Sequence, residues 1–418
     1  MIKYFNEMNK LDERVSVKMD IPNDVIEFHK LFKKEKFKLY VVGGAIRDFL
    51  LGTVPHDYDL VTDAQPTDVV KILKDFRTDI HGVHFGVVRV YTKDNPLGYE
   101  IASYRRDIAK GRNNKGNDQK VEVGKHITIN DDVRRRDLTI NSLYYDIDTN
   151  EIVDAVGGIS DLNNKIIRAV GVPQKRFNED RLRILRTLRT ASITNGKIDK
   201  LTSEAILKDN RLFGISEEDD VSRERIFAEF IKVKDKSKEN NDPGIITRFI
   251  DLLIDYNILS QIFPVLVTTK SISPTSYLTV ALAQTLRNNR PTIEFKKTLV
   301  DAKIPNDYVE IISFLIKILR DGVTQDTVYE IYREMSSKNI RKDIIAEWIR
   351  VMGISDDMVI GLLKYQPTTT GHEVMKDGFK GGQIGEEIKR REGIKYINMI
   401  KGVNEKNNIL KFNQFKNK

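Results

Sequence analysis

Asp57 and Asp59 lie two positions apart. On a strand, that spacing projects both carboxylates from one face. Hard divalent cations take such oxygen ligands. Two ions about 3.5–4 Å apart activate an attacking hydroxyl and stabilise a leaving phosphate. Just upstream runs Val41-Val42-Gly43-Gly44-Ala45-Ile46-Arg47-Asp48, an expected strand, a glycine pair and an expected helix. Glycine lets the backbone approach a phosphate and aim amides at it. Arg47, one turn into that helix, reaches the same anion, so Gly44 and Arg47 are candidate phosphate-binding residues. A glycine pair or an Asp-x-Asp pair alone is commonly a turn or a solvated loop. The ordered set within 17 residues points to phosphate chemistry. Glu100, expected on a neighbouring strand, is the candidate third carboxylate, with an ordinary exposed strand residue as the alternative.

A second pattern suits a nucleobase. Asp180, Arg183, Arg186 and Arg189 recur every third residue, beside an apolar stripe of Leu182, Leu185 and Leu188. At about 3.6 residues per turn this reads as one helix with a slowly winding polar face. A solvated face is the plain interpretation. The sharper one uses hydrogen-bond chemistry: a carboxylate accepts from an amino group, and a guanidinium donates to a ring nitrogen or carbonyl. Cytosine and adenine each carry an amino group beside a ring acceptor, so one Asp–Arg pair could select C and A against U and G.

These groups need rigid carriers. Ile21 to Phe37 has helical spacing, and from Leu39 to about Asp154 short β-branched runs alternate with turns, as in a mixed α/β domain. Residues 110–120, rich in glycine, asparagine and charge, read as a loop. Beyond about Ile166 helical spacing takes over, as in Tyr308, Ile311, Ile312, Leu315 and Ile316. The chain has 418 residues and no cysteine, which excludes disulfides and thiol nucleophiles, and its length implies several domains. Its net charge is +8, and Met375 to Lys418 hold eleven Lys or Arg against five Asp or Glu. A polyanionic partner is the expectation. No stretch is long and apolar enough to span a bilayer; a cytoplasmic protein without membrane partners is expected.

The glycine and aspartate set resembles the head of the class II CCA-adding enzymes and bacterial poly(A) polymerases, a branch of the DNA polymerase beta superfamily. Further segments resemble that family in order: Arg135-Arg136-Asp137-Leu138-Thr139-Ile140-Asn141, the Gly157-Gly158 hinge, Glu179-Asp180-Arg181-Leu182-Arg183, and Ser222-Arg223-Glu224-Arg225-Ile226. The resemblance implies an α+β chain with a polymerase-beta-like head and an all-α neck, body and tail. The implied divisions are an extension at 1–20, the head at 21–165, the neck at 166–235, the body at 236–365 and a basic tail for tRNA at 366–418. It implies Asp57 and Asp59 as ligands of two Mg2+ ions, and Arg136 and Asp137 on the sugar side. Asp180 and Arg183 would read the base, with Arg186 and Arg189 in support. The implied activity adds C, C and A from CTP and ATP to the 3′ end of tRNA without a template. A poly(A) polymerase, a partial CC- or A-adding enzyme and a non-catalytic RNA-binding relative remain alternatives. His81-Gly82-Val83-His84-Phe85 favours the CCA type over the very basic segment typical of poly(A) polymerases. The 110–120 loop argues against a CC-only enzyme.

Overall fold

The computed structural model describes residues 13–55, 57–80, 86–107, 121–123, 126–214 and 220–416. His56, the segment 81–85 and the 110–120 loop lie outside the described residues. The chain divides into two compact units, Met1–Glu229 and Phe230–Lys418.

The first unit is built on a sheet. Its strands are β1 (Glu13–Ser16), β2 (Leu39–Val42), β3 (Asp59–Thr62), β4 (Arg77–Asp79), β5 (Val87–Tyr91) and β6 (Tyr99–Ser103). After a separate ribbon, β7 (Arg105–Asp107) and β8 (Val121–Val123), come β9 (Leu143–Asp146) and β10 (Glu151–Asp154). The eight-stranded order is β1-β10-β9-β2-β3-β6-β5-β4. Within it only β3 and β6 run parallel, with Leu60 opposite Ile101. β2 is central and buried along its whole length, as its unbroken Leu-Tyr-Val-Val run requires. Period two sorts its side chains. Leu39 and Val41 join Leu60, Ile101 and Tyr145 in one core, while Tyr40 and Val42 join Val61, Tyr144 and Val153 in the other.

Helix α1 (Asn23–Lys34) buries Val25, Phe28, His29 and Phe32, the stripe expected of a surface helix. The segment before residue 21, read from its polar composition as an extension, contributes β1 to the sheet. β1 is mostly exposed, and an edge strand facing water stays polar.

The helices that carry the site come in order: α2 (Gly44–Leu50), α3 (Pro66–Ile72), α4 (Ile129–Arg134), α5 (Gly158–Asn163), α6 (Pro173–Glu179), α7 (Leu182–Thr194), α8 (Lys200–Lys208) and α9 (Arg223–Glu239). Gly158 is a packing requirement, because a methyl there would sit 2.3 Å from the Thr139 carbonyl oxygen. The second unit is helical. The apolar stretch near Phe249 becomes the helix Gly244–Asp255, which buries Ile245, Ile246, Phe249, Ile250 and Leu253. Its last helix is Gly382–Lys416. Among the described residues, no helix is long and apolar enough to cross a membrane.

Candidate functional site

Gly43 turns β2 into α2 with φ +82° and ψ −131°, a conformation that favours glycine. A methyl there would lie 3.9 Å from Asp59 Oδ2, so the glycine turn and the carboxylate share one corner. Asp59 begins β3 and is open to solvent. The expectation that Asp57 shares this strand needs correcting. β3 starts at Asp59, so Asp57 sits in the exposed segment leading into it.

Glu100 stands on β6, and the Leu60–Ile101 register places it beside Asp59 on the neighbouring strand. In this structure its carboxylate pairs with Arg89. Crowding by protein raises the Asp59 pKa most. Glu100 raises it next, and Asp57 adds to that, against the pull of Arg136 and Arg186. Carboxylates that oppose one another's ionisation suit a cation. Among the described residues, no three His, Asp or Glu side chains gather closely enough to hold an ion by themselves.

Arg47 is buried, and its guanidinium lies against Gly44, 3.5 Å from where a methyl there would sit. It donates from Nη2 and Nε to Asp48 Oδ1 at 2.6 and 2.9 Å, and from Nη1 to Asn141 Oδ1 at 2.7 Å. Asn141 lies in the Arg-Arg-Asp segment, so that segment braces the corner at Gly43 and Gly44.

Arg136 donates to Asp132 and to the Tyr144 hydroxyl. Asp137 accepts the Leu138 amide at 2.8 Å and pairs with Arg186 at 2.7 Å. Burial pushes the Asp137 carboxyl up, but Arg186, the Leu138 amide, Arg183 and Arg189 together hold it down at about 2. It faces the arginine helix through its pair with Arg186. The buried Nε of Arg186 has no hydrogen-bond partner. Arg189 is partly buried and forms an ion pair with the buried Glu229.

The single base-reading helix expected from the spacing is two helices. α6 ends at Glu179, Asp180 is extended at φ −154° and ψ 110°, and α7 starts at Leu182. Asp180 therefore sits at the junction. Its Oδ1 accepts the Leu182 amide at 3.0 Å, the local bond that makes aspartate favourable ahead of a helix. Its Oδ2 accepts Arg225 Nη2 at 2.7 Å. Arg183 is on α7, and it donates to Glu179 at 2.6 Å and to the carbonyls of Arg135 and Arg176 at 2.8 and 3.1 Å. Asp180 and Arg183 thus adjoin one another, each held by another partner. Asp132, Glu179 and Arg225 escaped assignment from the sequence. Asp132 had a local signal, lying three and four residues before Arg135 and Arg136.

Residues 39–168 match the poly A polymerase head domain. The CCA-adding enzyme of Enterococcus faecalis is 38% identical over 216 residues, covering 51% of this chain and 50% of that protein. Poly(A) polymerase I of Salmonella typhi is 30% identical over 275 residues, covering 64% of this chain and 56% of that one. The chain thus spans about half the length of the curated relatives it matches. The Bacillus stearothermophilus CCA-adding enzyme, solved in complex with CTP, superposes with a TM-score of 0.66 at 20% identity, over 94% of this chain and 100% of that one. The chain thus resembles the poly A polymerase head domain over residues 39–168 and has the fold of the solved CCA-adding enzyme.

Proposed function

We propose that the chain is a CCA tRNA nucleotidyltransferase, adding C, C and A from CTP and ATP to the 3′ end of tRNA and releasing pyrophosphate. The observation that carries this is the corner where the Gly43 turn meets Asp59, with Glu100 on the adjacent strand and Arg47 beneath Gly44. Resemblance to relatives named CCA-adding enzymes supports the substrate class.

In this reading Asp57 and Asp59 hold Mg2+, with Glu100 as the additional carboxylate. A bound divalent ion supplies Lewis acidity, favouring the ionised primer hydroxyl and neutralising charge on the phosphates. The protein's own groups do the rest. Arg47 and the glycine turn hold the triphosphate, Arg136 and Asp137 place the sugar, and Arg186 and Arg189 support the nucleotide. Asp180 accepts from the amino group of C or A, and Arg183 donates to the adjoining acceptor. The basic tail would track the tRNA backbone.

The test incubates the full chain with a tRNA transcript lacking its 3′ end, with CTP and ATP separately and together, resolved at single-nucleotide length. CTP alone should add two residues, and both nucleotides should complete CCA. A long adenylate tract from ATP alone would make it a poly(A) polymerase. Absence of any extension would sink the transferase reading.

A further inference from the structure

Under the proposed function, base reading and sugar placement fall to different elements, Arg183 on α7 and Arg136 just after α4, and the role of Asp132 rests on that assignment. Asp132 joins the two. It has no exposed surface. Its Oδ2 accepts Arg136 Nη2 and Nε at 2.9 and 3.1 Å, and the Tyr144 hydroxyl at 2.6 Å. That hydroxyl in turn accepts from Arg136 Nε at 2.9 Å. Oδ1 accepts Arg135 Nε at 2.8 Å and the Arg105 amide at 3.4 Å. One carboxylate therefore sets the rotamers of two consecutive arginines.

The backbone of the same segment is held from the other side. Arg183 Nη2 donates to the Arg135 carbonyl at 2.8 Å, and Arg176 donates to the Arg134 carbonyl. Glu179 grips both of those neck arginines, Arg176 and Arg183, each at 2.6 Å. The Arg135 carbonyl belongs to the peptide linking Arg135 to Arg136. A displacement of the Arg183 guanidinium is thereby felt at the backbone that carries the sugar-side arginine. Free rotation of Arg135 or Arg136 would dissipate that displacement. Asp132 prevents it, because a buried carboxylate with both oxygens filled by charged donors cannot release one without leaving an unpaired charge.

We propose that Asp132 is a positioning residue that locks the Arg135–Arg136 step to the base-reading Arg183, so that base identity and sugar identity are sensed together. Glu179 and Tyr144 complete the relay.

The experiment measures equilibrium binding of CTP, 2′-deoxy-CTP and UTP to the full chain in Mg2+, for the wild type and Asp132→Asn. The asparagine keeps the size and removes the charge. Loss of charge-assisted bonds should weaken CTP binding roughly tenfold. The preferences for CTP over 2′-deoxy-CTP and for CTP over UTP should shrink together. Retention of both preferences, even with weaker binding, would reduce Asp132 to a structural role and overturn the relay. Loss of the ribose preference alone would overturn it too, as would a wild type with neither preference. Tyr144→Phe removes a single hydroxyl and should produce the same paired loss to a smaller degree, which keeps the idea falsifiable where Asp132→Asn does not fold. Binding needs no primer. A chain that binds CTP selectively yet extends no tRNA therefore overturns the CCA reading without deciding the relay.

Discussion

Asp132 in the first unit and Glu392 in the second are both carboxylates without exposed surface, and both are held at about 2. Their partners differ. Burial raises the Asp132 pKa, and two cations, Arg136 and Arg135, do most to bring it down. Those cations sit in the segment assigned to the nucleotide. Burial raises Glu392 as well, but chiefly neutral donors oppose it. These are the Thr369 hydroxyl and amide, the Tyr365 hydroxyl at 2.8 Å and the Thr368 amide at 3.1 Å. Glu392 closes the turn ahead of the capped helix Gly371–Lys376, and none of those donors lies in the segments assigned to the nucleotide. The pair teaches that burial and a depressed pKa do not by themselves mark a functional site. The distinguishing property is whether the groups that stabilise the charge have a second use.

The largest expected effect tests the functional side of this contrast. Asp57→Ala and Asp59→Ala should each lower nucleotide addition by roughly a thousandfold or more, since loss of metal-assisted charge stabilisation is worth several kcal/mol. Amide exchange around Thr368 and Thr369 should not change. Near-normal addition in both variants would remove the metal assignment. Glu392→Ala should do the reverse. Several donors, the buried Tyr365 hydroxyl among them, lose their acceptor, so local opening at Thr368 and Thr369, monitored by hydrogen exchange, should ease by about 2 kcal/mol. CTP affinity should be retained; a matching loss of nucleotide binding would erase the contrast between the two carboxylates.

A smaller effect is expected at Asp180. UTP offers a carbonyl where C and A offer an amino group, so carboxylate and carbonyl oppose each other at roughly 1–3 kcal/mol per unpaired group. Asp180→Ala should slow addition of C and A while narrowing their advantage over UTP about tenfold. Competition among the four nucleotides on tRNA ending at the discriminator base, then in CC, reads this directly. An active variant with unaltered preference would place base selection elsewhere.

The smallest effect is on acid stability. The carboxyl of Glu392 is depressed from 4.5 to about 2, so its stabilisation is complete above the ordinary value. As pH falls from 4.5 through about 2 that stabilisation is lost. In Glu392→Gln, the acid limb of the Thr368 and Thr369 exchange profile should flatten across that window. An unchanged limb would mean another group controls the acid response.

Local periodicity carried much of this molecule. The buried Leu39–Val42 run, the stripe of α1 and the glycine pair before Asp57 and Asp59 are short-range patterns, and each forms the element its spacing demands. The same reasoning misjudged Asp180. Three-residue spacing continued the helix through it, but aspartate competes for backbone amides, and here it bonds Leu182 and begins α7 instead.

Partner choice was the other blind spot. Asp180 meets Arg225, 45 positions away, and Arg183 meets the Arg135 carbonyl, 48 positions away. By itself the sequence determined which side chains carry the carboxylates, guanidiniums and glycines of the proposed site, and which short runs such as Leu39–Val42 form strand or helix, because those properties depend on residue type and near neighbours. Tertiary structure alone decided that Asp137 faces Arg186, that Glu229 neutralises Arg189, and that Asp132 holds Arg135 and Arg136 without exposure to water. A buried charge takes whichever opposite charge the packed helices bring within reach, and that proximity is fixed by chain closure over long separations, which no local spacing records.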